Sequence, residues 1–246
     1  VRFRDAKAAE LSALINHSNA TVVEGGTWRC ERSVILESPV DLELDLSELT
    51  LVRSAVNWGV RKQVAQLIIR NAVNTHVKLP AIVGPLPEGL TGRHQYRPAV
   101  EGQHGVLLSG GVDVTLEGRG ETLAPDIEAV NGDLVYLASA GRVWPQGVTV
   151  EHVVGRRAGR HGLCVTAGRD VDLRDCQVSD VGRRPAHFEI NSKRAGDGFD
   201  EIRVDRVVNA KGEPVRCDGQ LRNVTQDGFA FGSVERVRRT VIRVGV

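Results

Sequence analysis

The 246-residue chain has 41% hydrophobic residues and a formal net charge of +1. It is long enough for one large core, and its bulk electrostatics supports no nucleic-acid partner. Aromatics make up only 4%, so the core must be aliphatic, and no run of about 18 apolar residues would place a helix across a membrane.

In chain order, residues 5–16 carry Ala8, Ala9, Leu11, Leu14 and Ile15 at helical spacing, with Asp5 placed to cap the start. This predicts an N-terminal α-helix that caps the domain. Ala20-Thr-Val-Val-Glu-Gly-Gly-Thr-Trp28 reads as a strand entering a Gly-Gly turn. Val40-Asp-Leu-Glu-Leu-Asp-Leu46 alternates apolar and acidic residues, the mark of a strand with one buried face. Residues 53–104 are the least regular. Leu67-Ile-Ile-Arg70 and Val77 to Val83 are strand-like there, and Pro80, Pro85, Pro87 and Pro98 predict loop for the remainder.

From 105 to 246 a repeat emerges. Gly105-Val-Leu-Leu-Ser-Gly-Gly-Val-Asp-Val-Thr-Leu-Glu117 is echoed by Gly162-Leu-Cys-Val-Thr-Ala-Gly-Arg-Asp-Val-Asp-Leu-Arg174. Val148/Val150/Val153, Val171/Leu173/Cys176 and Ile202/Val204/Val207 share one i, i+2, i+5 spacing. A second ladder precedes them: Val106/Leu108, Leu163/Val165 and Phe188/Ile190. On that register Lys193 to Gly198 is an insertion. Equivalent strands must stack in register, because a one-residue slip would turn the apolar face outward. Short strands separated by non-helical corners predict an all-β chain wound as a right-handed parallel β-helix, one solenoid domain over 1–246. A β-sandwich also accounts for short strands but not for the shared spacing.

The four Cys stand at 30, 164, 176 and 217 with no C-x-x-C, which fits neither a zinc module nor a disulfide scaffold. No metal site and no cofactor is expected. No signal peptide is visible, and Val234 to Val246 is strand-like, leaving an edge expected to be covered by a partner chain or further residues.

The coils, together with Asn131-Gly-Asp-Leu-Val-Tyr-Leu137, Gly159-Arg-His-Gly-Leu-Cys-Val165 and Ala186-His-Phe-Glu-Ile190, resemble the right-handed β-helix proteins of the pectate-lyase-like superfamily. The resemblance spans 105–210, and 8–52 more weakly. It implies polysaccharide-active enzymes or bacteriophage tail proteins. Their setting would be extracellular or on a virion, often as homo-oligomers such as trimers or bound to tail-assembly proteins. The catalytic signatures of that superfamily are mostly missing: the chain has no Asp-Asp pair, and only Gln103-His-Gly105 and Arg160-His-Gly162 match part of a Gly-His-Gly element.

Strand alternation turns His187 and Glu189 outward when Phe188 and Ile190 point in. Stacking then brings Asp133, His161 and His187 to one edge of a sheet with Glu189 beside them. This is the expected acid/base set, for glycosidic cleavage or for removing a uronate proton in a lyase reaction. Arg160, Arg183 and Arg184 are the candidates to meet a uronate carboxylate. Tyr136 and Trp144 are the aromatics that would line a glycan groove. Each residue has a plainer reading as surface charge, turn former or packing. The leading expectation is a carbohydrate-recognising β-helix, with or without cleavage of an acidic or cell-surface polysaccharide. The alternative is a non-enzymatic rod in a phage tail, acting in assembly or host adsorption. No nucleic acid and no membrane insertion are expected.

Overall fold

A computed structural model describes residues 25–30, 32–53, 64–86, 96–120, 124–189 and 198–215, with the backbones of a few short strands beyond. Each turn of the chain contributes one strand to each of three parallel sheets. The first coil is β1 (Gly26–Cys30), β2 (Val34–Glu37) and β3 (Val40–Asp45). The second is β4 (Leu49–Arg53), β5 (Val64–Arg70) and β6 (Val73–Lys78), and the third is β7 (Ala81–Val83), β8 (Gln103–Ser109) and β9 (Val112–Glu117). The fourth is β10 (Ile127–Val130), β11 (Val135–Ala138) and β12 (Gln146–Glu151). The fifth is β13 (Val154–Ala158), β14 (His161–Val165) and β15 (Ala167–Arg174), and the sixth is β16 (Gln177–Val181), β17 (Arg184–Glu189) and β18 (Gly198–Asp205). Of the later strands, β19 (Cys217–Gln220) extends the second sheet and β22 (Ile242–Val244) the third. Between them, β20 (Thr225–Gln226) and β21 (Phe229–Ala230) form a separate hairpin.

This is the architecture of a parallel β-helix. No α-helix occurs among the described residues, and the helix expected over 5–16 lies outside them. The segment 53–104, expected to be loop-rich apart from the strand-like Leu67–Arg70 and Val77–Val83, supplies β5 and β6 of the second coil and β7 of the third.

The interior is the aliphatic column that the composition requires. Val148, Val171 and Ile202 stack in register, as do Val150, Leu173 and Val204, and Val153, Cys176 and Val207 are buried behind them. The second-sheet ladder runs Val106/Leu108, Val135/Leu137, Leu163/Val165 and then Ala186/Phe188. The expected Phe188/Ile190 rung is therefore corrected by two residues. Phe188 pairs with Val165 and Ala186 with Leu163, both buried. The glycines that open the repeat have a steric cause: a Cβ on Gly162 would lie 2.3 Å from Val178 Cγ1 and from the Pro185 carbonyl oxygen.

The corners repeat too. Every non-glycine residue with positive φ among those described falls into one of four vertical ladders, with φ between 46° and 60°. The longest stacks Asp41, Asn74, Asp113, Gly147, Asp170 and Glu201, one per coil, in register along the third sheet. Asp, Asn and Gly tolerate this left-handed conformation best, because a short polar side chain can bond locally and glycine has no Cβ. The bend it makes lets the chain turn without a long loop.

Candidate functional site

At the entry to the second sheet, one register position is occupied in successive coils by Ala65, His104, Asp133, His161 and Arg184. Three residues further on stand Ile68, Leu107, Tyr136, Cys164 and His187. Both positions face away from the aliphatic column. The result is a regular diagonal: His104 stacks on Tyr136 of the next coil, centroids 4.4 Å apart, and His161 stacks on His187 of the next coil at 4.0 Å.

Asp133 sits between the two histidines of its ladder and is fully buried. Its Oδ1 accepts the backbone N–H of His161 at 2.9 Å, and its Oδ2 accepts from Arg160 Nη1 at 3.2 Å. His104 Nδ1 lies 3.1 Å from both the Asp133 amide nitrogen and Asp133 Oδ2, and it can serve only one of them at a time. An ionised carboxylate is the stronger acceptor, which favours a proton on Nδ1. Burial pushes the Asp133 carboxyl upward, but the His104 contact and the charge of Arg160 together hold it below its ordinary value.

Arg160 is the hub. Besides Asp133, its Nη2 donates to Glu189 Oε2 at 2.6 Å, and its Nε lies 4.0 Å from Glu101 Oε2. Burial disfavours the guanidinium charge, but Asp133, Glu189 and Glu101 outweigh it and raise its pKa. Glu101 also accepts from the Tyr96 hydroxyl at 2.6 Å, and the Arg183 guanidinium lies over the Tyr96 ring, 3.9 Å from its centroid. The segment that leads into β8 is thereby pinned to coils five and six. Burial lowers the His161 pKa to about 3, with help from His187, Arg160 and Arg183 and against the pull of Asp133. His161 is 1% exposed, and neither of its ring nitrogens has a hydrogen-bond partner among the described residues.

Asp133, His161, His187 and Glu189 thus meet around Arg160, although not in a single register. Arg184, not His187, pairs with His161, while His187 pairs with Cys164 and its Nε2 lies 3.8 Å from Glu189 Oε2. Asp133 and His161 are buried, whereas the Glu189 and Glu101 side chains are 24% and 43% exposed. Arg160, expected to meet a ligand carboxylate, is spent on the chain's own. Arg183 covers Tyr96, and Arg184 is exposed.

Tyr136, expected to line a groove, is 1% exposed in a second apolar cluster with Ala65, Ile68, Leu107, Ala138 and Cys164, and its hydroxyl accepts from Thr166. Trp144 is half-buried in the connection between β11 and β12. Glu101 and His104 were not anticipated as site residues. The echo of Gln103-His104-Gly105 in Arg160-His161-Gly162 was the available signal for His104, because the two histidines occupy one ladder. Burial pushes the Cys30 and Cys176 thiols up, to about 11 and about 12, so neither is a ready nucleophile. No group of His, Cys, Asp and Glu suited to a metal ion occurs among the described residues.

A scan against protein-family models gave no match, and searches of curated proteins and of solved structures gave none either.

Proposed function

We propose that this chain is a carbohydrate-recognising β-helix of the right-handed, pectate-lyase-like kind, working outside the cell as part of a phage tail or a secreted protein. The observation that supports this best is the patch around Arg160. Glu189, Glu101, Tyr96 and Arg183 are partly or largely exposed on one edge of a rigid stack, above a buried base of Asp133, His104 and His161. Carboxylates held by a guanidinium accept sugar hydroxyls in fixed directions, and an aromatic ring beside them offers a stacking face. Rigid strands hold such groups more precisely than loops do.

If cleavage accompanies binding, the carboxylate placed to take part is Glu189, because Asp133 is buried and fully bonded. Binding to immobilised cell-surface polysaccharides, followed by release of reducing ends, tests the reading. Wild-type protein is expected to bind at least one polysaccharide, and Glu189→Ala to weaken that binding at least tenfold. A broad panel with neither binding nor chain shortening would end the proposal.

A non-enzymatic rod is the second reading, favoured by the cross-links between neighbouring coils. Arg70–Glu37, Asn74–Asp41, His76–Glu117, Arg156–Glu128 and Arg174–Glu151 each join adjacent turns. Exposed pairs add little stability singly, but their orderly repetition suits a stiff spacer. A stable trimer by sedimentation with an inert surface would favour the rod.

A further inference from the structure

We infer that the corner between the second and third sheets is a self-association surface, through which two copies of this chain join about a two-fold axis. Among the described residues three large hydrophobic side chains are exposed: Val40 at 61%, Val73 at 41% and Val143 at 54%. Single exposed apolar residues are ordinary on any surface, but all three of these stand at one corner. Val40, Val73 and half-buried Val112 are successive rungs of one register column in coils one to three. The fourth rung is Gln146, and the chain reaches it through a longer corner. Two residues join the second-sheet strand to the third-sheet strand in each of coils one to three (38–39, 71–72 and 110–111), whereas coil four uses 139–145. The extra residues form a hairpin closed by reciprocal backbone hydrogen bonds between Ala140 and Val143, with Gly141 and Arg142 at its tip. The Val143 carbonyl oxygen would lie 3.7 Å from a Cβ on Gly110, so the hairpin rests against coil three and keeps Val143 at this corner.

The charges beside the column fit a second copy as the partner. Exposed Asp41, which accepts from Asn74 through Oδ1 at 2.8 Å, lies at the coil-one end, and exposed Arg142 lies at the coil-four end. A two-fold axis crossing the column between coils two and three exchanges coil one with coil four and coil two with coil three. Val40 then meets Val143, Val73 meets Val112, and Asp41 of each copy meets Arg142 of the other. Asp113 is set against the Asn74 amide rather than against a second acid. Apolar contact in the middle with opposite charges at both ends makes the surface complementary to itself. The projecting hairpin of coil four also falls against the short corner of coil one. Few side chains take part, so the dimer is a weak one. The Arg160 patch lies at the other end of the second-sheet strands, so pairing here leaves it open, and the inference is independent of the carbohydrate reading.

Sedimentation equilibrium of the intact chain, from low micromolar to millimolar concentration, tests the inference. A monomer–dimer equilibrium is expected. Val73→Lys, at the centre of the surface, and Arg142→Asp, at its end, are each expected to weaken the dimer at least tenfold. Both positions are exposed, and far-ultraviolet circular dichroism checks that the variants keep the fold. Asp41→Asn, which suits the φ of 50° at that position, is expected to weaken the wild-type dimer but to strengthen the dimer of Arg142→Asp, where it removes a repulsion between like charges. That reversal of sign is what direct pairing of 41 with 142 across the interface requires. A chain that stays monomeric at millimolar concentration, one that forms a trimer, or a dimer indifferent to Val73→Lys would overturn the inference. So would a dimer that Asp41→Asn weakens equally with and without Arg142→Asp.

Discussion

Replacing Asp133 by Asn removes one buried charge while nearly preserving shape. The carboxylate accepts from the His161 amide at 2.9 Å and from Arg160 at 3.2 Å, and it lies 3.1 Å from His104 Nδ1. An Asn can keep one of these acceptor roles, but its NH2 must then point at the donors that Oδ2 now serves. Breaking a buried ion pair from one side costs about 3–5 kcal/mol. Arg160 keeps Glu189 at 2.6 Å, so the loss belongs near the lower end, at roughly 3 kcal/mol. For a chain of this size that corresponds to a fall in Tm of roughly 6–12 °C.

Urea unfolding followed by far-ultraviolet circular dichroism measures the loss directly. The midpoint should fall with little change in slope, and the Asp133→Asn, Arg160→Gln double variant should lose less than the two singles added together. The pH dependence has a definite sign. The folded carboxyl lies below its unfolded value, so its contribution is present above about pH 4 and disappears as pH falls through the folded value. Asp133→Asn should therefore flatten the acid limb below pH 4. A loss under about 1 kcal/mol with an unchanged acid limb would show that the cluster is not a strut and would refute the reasoning.

Two further predictions concern neighbouring features. The folded His161 pKa of about 3 lies below the ordinary 6.5, so the unfolded chain binds an extra proton between those values. Stability should fall by up to roughly 1.4 kcal/mol per pH unit as pH drops from 6.5 towards 3, and His161→Leu should remove that slope. Equal slopes in wild type and variant would contradict it. In the corner ladder, Asp113 has φ 55° and is exposed, so its backbone conformation should matter more than its contacts. Asp113→Gly should stay within about 0.5 kcal/mol of wild type, whereas Asp113→Val should lose about 1–2 kcal/mol by chemical denaturation. Equal losses in both would shift the cause to the lost side chain.

The interior was legible because it obeys one rule. The i, i+2, i+5 spacing of Val148, Val171 and Ile202 survives unchanged, since each rung must face the same column. The rung at Ala186/Phe188 was misplaced because Ile190 looks like a better core residue than Ala186, and apolar character alone cannot tell which hydrogen-bonded register wins. The strand-like runs at Leu67–Arg70 and Val77–Val83 fall in β5, β6 and β7, but prolines that lie between strands, where a solenoid tolerates them, hid that these strands belong to the second and third coils. Alternation placed His187 and Glu189 correctly on the outside. Tyr136 was expected in a glycan groove from its aromatic character alone, which says nothing about whether the face it occupies is covered, and Tyr136 is buried. Glu101 was illegible because it reaches Arg160 of the fifth coil from the connection between β7 and β8 of the third, a lateral contact with no periodic signature.

The geometry that brings these side chains together also divides their labour. Successive coils place Asp133 and His161 about 4.8 Å apart in one ladder, close enough for each to be walled in by the next. Burial gives Asp133 its strong contacts, and the same burial removes it from any substrate and keeps His161 neutral. A general acid or base needs both access and a pKa near the working pH, and these two residues have neither. Glu189 is bonded to the same Arg160 but retains an exposed edge, as does Glu101. Chemistry or recognition at this patch therefore belongs to the rim, and the buried ladder beneath it acts by holding Arg160, and through Arg160 the rim carboxylates, in place.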